Sequence, residues 1–249
     1  MVLPVANSTR LLVSSKSQVF LLDWASPGKP SMQLLADLAP LQPGTILNEG
    51  KADARGRLWA GTKGPQSGDR VEIDQGALYS LEPPCYQPQV QLKPVTLSNG
   101  LVWSLNNSVL YYIDSYTNRI DAFDFDLEWG RISKRRTILD ISQWGYDDGI
   151  PDGMTIDRDG LLWVAIFIHG MVIRVDPDVG RVVNKYDLPV LRATSMTWAG
   201  PDLEELVVTT SRRNLLHNQV AAAPLSGTLI ALQNLGTGGV PDHKFVFDT

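Results

Sequence analysis

The sequence predicts an all-β propeller. Three observations carry that prediction. A strand–turn–strand unit recurs at a period near 50 residues, and two copies share a Leu-Trp pair on their second strand. The composition, with 21 Gly and 16 Pro, is rich in turn formers, while helical patterning is weak. A sandwich would also use many short strands, but it does not account for the Leu-Trp pair returning after two periods.

The units follow in chain order. The first is degenerate: Asn7, Ser8 and Thr9 supply a turn before the apolar run Leu11–Ser15, and Gln18–Asp23 is the next extended segment. The second and fourth match closely. Residues 51–61 and 155–165 each read as strand, Asp-x-x-Gly turn, strand, with Asp53, Gly56, Leu58 and Trp59 in one and Asp157, Gly160, Leu162 and Trp163 in the other. Asp suits the first corner of such a turn and Gly tolerates positive φ near its end. The third unit turns at Asn106-Asn107 between residues 101–105 and 109–114, and the fifth turns at Gly200, Pro201 and Asp202. Gly76–Leu81, Arg119 to Asp124, Met171–Asp176 and residues 227–232 add a third strand to each. Residues 31–41 have room for a short turn of helix around Leu34, Leu35 and Leu38, limited by Pro40 and Pro43. The run 243–248 reads as a strand that would close a blade and hide its edge. Trp59 and Trp163 occupy equivalent positions and are expected to fill space between blades. The whole of 1–249 is read as one propeller domain of about five blade units.

Composition narrows the function. A net charge of −5 offers no basic face for a phosphate backbone, so nucleic acid is not an expected partner. The most apolar stretch, 160–175, is broken by His169, Gly170 and Arg174, which argues against a membrane span. The first residues have neither a basic n-region nor a long apolar h-region. A single cysteine, Cys85, beside Pro83 and Pro84, rules out a disulfide within the chain and points to a reducing, cytoplasmic setting. His169, His217 and His243 lack metal-ligand spacing, and Arg212-Arg213 reads as a solvated loop. Nucleophile-elbow, zinc-protease and P-loop motifs do not occur.

In a propeller, the starts of successive inner strands face one axis. Asn48, Asn99 and Asp152 precede three of those strands, 51 and 53 residues apart, and Thr194-Ser195 holds the fifth position. Glycine follows each of the first three closely and is expected to let the backbone bend at the channel mouth. Singly, each is an ordinary turn signal. Three oxygen-bearing side chains in phase point instead to a hard cation, since Ca²⁺ takes carboxylate, amide and water oxygens. His or Cys would have pointed to zinc.

Segments 47–53, 56–62, 75–81, 98–105, 111–115, 121–124, 150–154 and 162–165 resemble the regucalcin/gluconolactonase family, the group that also holds luciferin-regenerating enzyme. That resemblance implies a six-bladed-type propeller that binds a divalent cation, Ca²⁺ first and Zn²⁺ second, and hydrolyses a small sugar lactone. It places Asn99 and Asp152 as metal ligands, Asp152 also as the catalytic base, and Asn48 as a substrate contact. Three departures accompany it. The chain begins after the first family strand and its Glu ligand, so most of a first blade is expected to be missing, leaving either an incomplete gene product or an open wheel prone to association. Ile46 stands where the family has a substrate-binding Arg. Gln66 is the nearest counterpart of a substrate-contacting Glu. Two rival readings follow, a weakened calcium-binding regulator and a pure interaction scaffold.

Overall fold

Five antiparallel sheets succeed one another along the chain, each a simple meander. The computed structural model describes residues 1–24, 30–145 and 148–247. The first sheet holds β1 (Val2–Pro4), β2 (Leu11–Ser15), β3 (Gln18–Asp23) and β4 (Ser31–Asp37). The second holds β5 (Ile46–Ala52), β6 (Leu58–Lys63), β9 (Gly76–Leu81) and β10 (Gln89–Val95), with a small hairpin of β7 (Gln66–Ser67) and β8 (Arg70–Val71) inserted after β6. The third holds β11 (Ser98–Trp103), β12 (Val109–Asp114), β13 (Arg119–Asp126) and β14 (Arg131–Asp140). The fourth holds β15 (Pro151–Ile156), β16 (Leu162–Ile166), β17 (Met171–Asp176) and β18 (Arg181–Asp187). The fifth has three strands, β19 (Ala193–Ala199), β20 (Glu205–Thr210) and β21 (Leu229–Leu232), with the short helix α1 (His217–Ala222) before β21.

Burial is graded across the second, third and fourth sheets. The second strand is covered on both faces: β16 is buried at every residue and β6 at all but Lys63. The fourth strand is the edge and mostly exposed, as in β14 and β18. These edges carry charge and proline, with Lys134, Arg135 and Arg136 on β14 and Pro94 on β10, which discourages pairing with another chain.

The described residues fall into two compact units. One contains the first two sheets, residues 125–132 and the segment from Asp242 on. Its core joins Leu12, Val19 and Leu21 of the first sheet to Leu58, Tyr79 and Leu81 of the second, with Phe245 among them. The other contains Asn99–Asp124 and Ser133–Pro241. It has two cores: Ile113, Ile120 and Ala122 pack on Met154, Val164 and Ile173, and Trp163 and Val172 pack on Met196, Trp198 and Val208.

The two matched turns are built alike. Gly56 and Gly160 have φ of +81° and +83°. Asp53 Oδ1 accepts from the amides of Arg55 and Arg57, and its Oδ2 accepts from Arg57 Nε and Trp59 Nε1. Asp157 Oδ1 accepts from the amides of Asp159 and Leu161, and its Oδ2 accepts from Trp163 Nε1 and Arg174 Nε. Each aspartate thus closes its turn and locks the tryptophan six residues on. Trp163 packs edge-on against Trp198 of the next sheet at 5.4 Å, and Trp59 against Phe125 at 5.5 Å, the space-filling role expected of both.

Two expectations need correction. Residues 31–37 form β4 rather than helix, because pairing with β3 satisfies their backbone; only Leu38 to Gln42 turns, through bonds from the Leu41 and Gln42 amides to Leu38 O. The run from His243 does not form a strand over its described residues. Phe245 makes an isolated parallel bridge to Val5 and stays in the core through Tyr86, while Asp248 lies outside the described residues.

Candidate metal and substrate site

Asn48, Asn99 and Asp152 do not precede the inner strands as the spacing suggests. They lie inside them, near the start of β5, β11 and β15. The ladder explains why this position repeats. The β5–β6 register slips between Leu47 and Glu49, at Asn48. The β15–β16 register slips between Pro151 and Met154, at Asp152 and Gly153. The β19–β20 register slips between Ala193 and Ser195, at Thr194. A bulge leaves its extra residue out of the ladder and re-aims the side chain. Three sheets place a bulge at the same step of the inner strand.

Within the second unit, Asn99 and Asp152 are linked through Ser115, which stands on the 3₁₀ turn (Ser115–Thr117) after β12. Ser115 Oγ lies 2.7 Å from Asn99 Nδ2 and 2.6 Å from the carbonyl of Pro151, the residue before Asp152. Asn118 faces the carbonyls of Ser115 and Gly149 at 3.1 Å each, so it presents its NH₂ there and ties the turn to the segment entering β15. Asn99 and Ser115 are buried and Asp152 is half-buried.

Neither Gly100 nor Gly153 has a positive φ, so neither uses the left-handed conformation that glycine opens. What they supply is lateral room. A Cβ on Gly100 would meet Asp152 O at 2.8 Å and Met154 Cβ at 2.6 Å. On Gly153 it would meet Ser195 Oγ at 2.2 Å and Ser195 Cα at 2.6 Å. The starts of β11, β15 and β19 therefore converge, bringing Asn99, Asp152 and Thr194-Ser195 to one end of their sheets. Thr194 and Thr209 hydroxyls pair there at 2.6 Å.

Asn48 belongs to the first unit, where its Nδ2 donates to Ser98 O at 2.8 Å. Ile46 occupies the first position of β5, and Gln66 is held in its own hairpin, accepting from Lys63 Nζ and donating to Gly68 O. His169 meets Asp148 at 2.8 Å at the end of β16, His217 and His243 are exposed, and Arg212 donates to the Ser226 carbonyl. Cys85 is exposed and unbonded. As donors, Asn99 and Asp152 offer oxygen only, which fits a hard divalent cation in kind. The set is not a carboxylate cluster: among the described residues no three His, Cys, Asp or Glu side chains gather. No helix among them is long and apolar enough to cross a membrane.

A family model described as the SMP-30/gluconolactonase/LRE-like region matches residues 1–212. The chain belongs to this family. Regucalcin of Oryctolagus cuniculus is 40% identical to this family member over 199 residues, 80% of the chain and 65% of the relative, so the chain spans about two thirds of that protein's length. A luciferin-regenerating enzyme superposes with a TM-score of 0.87 at 29% identity, covering 99% of the chain and 81% of the other. A calcium-binding protein, regucalcin of Agrobacterium tumefaciens, does so at 0.86 and 25%, covering all of the chain and 79% of the other. The β-propeller domain of Swd1 from Myceliophteria thermophila superposes at 0.57 and 11%, covering 83% of the chain and 64% of the other, which speaks to fold alone. The five sheets are propeller blades.

The Ser115 link, the bulges and the two aspartate hubs escape a reading from spacing alone. Only the hubs leave a trace in the sequence, since Asp precedes Trp by six residues in both matched units.

Proposed function

We propose that this family member is a divalent-metal-dependent lactone hydrolase of the gluconolactonase type, acting on a small sugar lactone and binding Ca²⁺. We take residues 1–249 as a single domain, part of a six-bladed-type wheel in a reducing, cytoplasmic setting. The observation that carries the activity is the short polar link from the Asn99 amide through Ser115 to the backbone carbonyl of Pro151, the residue before Asp152, which joins the starts of two inner strands. Family membership and the calcium-binding relative support the same reading.

In this scheme Asn99 Oδ1 and the Asp152 carboxylate hold the cation. When bound, the ion supplies polarisation of the lactone carbonyl and stabilises the negative charge that develops on it. Asp152 accepts a proton from the attacking water, whose oxygen bonds to the carbonyl carbon. The ring C–O bond breaks, and the departing oxygen takes the proton back from Asp152, giving an open hydroxy acid. Asn48 contacts a ring hydroxyl and orients the substrate.

Calcium titration by calorimetry, followed by a pH-stat assay on gluconolactone, tests the proposal. Asp152→Ala is expected to lose both Ca²⁺ affinity and turnover, and retained turnover would overturn it. Ile46 at the family's Arg position favours one second reading, a calcium-binding regulator with weakened catalysis, because an alkyl chain has no fork of donors for sugar oxygens. Binding without turnover in the wild-type chain selects that reading.

A further inference from the structure

We infer that Ser115 is a positioning residue that sets which atom of Asn99 faces the cation. The inference rests on the metal-site reading above and deepens it. A serine hydroxyl has one proton. Its partner 2.6 Å away is the Pro151 carbonyl, which can only accept, so the proton is spent there. Toward its other partner, 2.7 Å away, Ser115 can only accept, and that partner must be an N–H. The Asn99 amide is thereby fixed with Nδ2 on Ser115 and Oδ1 turned to the opposite side.

Without that hydroxyl Nδ2 loses this acceptor, and an inverted amide would present two N–H donors to a cation. The same hydroxyl holds the Pro151 carbonyl, one residue from the Asp152 bulge. Asn118 braces it from the backbone side, through the carbonyls of Ser115 and Gly149. Ser115 needs no contact with ion or substrate to do this.

Outer partners of metal ligands typically change affinity by about 10- to 100-fold when removed. Titrating the purified 249-residue chain with CaCl₂ by calorimetry, Ser115→Ala is expected to weaken binding within that range while near-UV circular dichroism stays native. The decisive measurement is a double-mutant cycle. If Ser115 acts mainly through Asn99, Asn99→Ala with Ser115→Ala binds Ca²⁺ no more weakly than Asn99→Ala alone. If the two losses multiply, Ser115 does not act through Asn99 and the inference fails. Unchanged affinity in Ser115→Ala, with binding lost in Asp152→Ala, overturns the inference and leaves the metal site standing. Unchanged affinity in Asp152→Ala removes the site and the inference with it. Should the alanine variant not fold, Ser115→Cys keeps a weaker donor and acceptor in a similar volume. It is expected to bind Ca²⁺ measurably less tightly, and wild-type affinity there counts against the assignment.

Discussion

Replacing Asp157 by alanine removes the anion on which one whole turn converges. The carboxylate is fully buried, and it faces the Arg174 guanidinium at 2.7 Å and the Trp163 indole at 2.8 Å. Breaking a buried ion pair from one side costs about 3–5 kcal/mol when the remaining charge is left unpaired; Arg174 keeps exposed Asp159 at 2.8 Å, so the lower end applies here. An orphaned indole N–H adds about 1–3 kcal/mol. The two turn amides sit beside exposed Asp159 and can recruit water, so they add little. Allowing for overlap, the expected loss is about 4–6 kcal/mol, a large part of a typical total of about 5–15 kcal/mol. Trp163→Phe keeps the ion pair but loses one hydrogen bond and part of a fully buried ring system, so a loss of about 2–4 kcal/mol is expected. Urea unfolding followed by far-UV circular dichroism measures both. The repeat supplies an internal control, since Asp53→Ala removes the same set of partners in the other unit and should cost a comparable amount. A loss below about 1 kcal/mol for Asp157→Ala would refute the hub as a source of stability.

Two further predictions concern packing and pH. Gly153→Ala drives a Cβ into Ser195 backbone at 2.6 Å, so a loss of about 1–3 kcal/mol or more is expected by thermal melting, together with weaker Ca²⁺ binding as β15 is pushed off β19; a wild-type melting point would contradict the close approach. The Asp37 carboxyl is held below its usual range, first by the Ala39 amide and then by Ser17 and Gln18; Asp140 is lowered first by the Ser142 hydroxyl, and Asp159 first by the Thr237 hydroxyl. A folded value below the unfolded one, about 3.9, stabilises the fold above that pH and stops doing so as pH falls through the folded value. Melting temperature should therefore hold from about pH 8 to 5 and fall below about 4, with Asp37→Asn shrinking the fall; a rise on acidification would be inconsistent with these bonds.

The fold was legible because strand content, turn chemistry and period agree over most of the chain. The Asp-x-x-Gly turns, the Leu-Trp pair and the third strands from Gln18 to Leu232 all reappear as ladder elements. The misreadings share a cause. Residues 31–37 have a leucine spacing that suits either period, and only the partner strand β3 decides between them. At Phe245, a single buried aromatic replaces the strand that the alternating Phe-Val-Phe suggested. Phase picks out Asn48, Asn99 and Asp152 as residues near the start of their inner strands, but spacing cannot show the close approaches at Gly100 and Gly153, which depend on the side chains those residues lack. Ser115 was invisible for a simpler reason: it arrives from a turn after β12, outside the series of inner-strand starts.

The bulges carry a consequence for how this protein can change. A residue that sits outside the ladder contributes little to register, so its identity is only weakly tied to folding. Asn48, Asp152 and Thr194 are such residues, each in the inner strand of its own sheet. Under the proposed function, substitutions at Asn48 and Asp152 would alter ligand preference while the blades go on assembling, which makes these steps the natural positions for an altered substrate range to arise, in evolution or by directed selection.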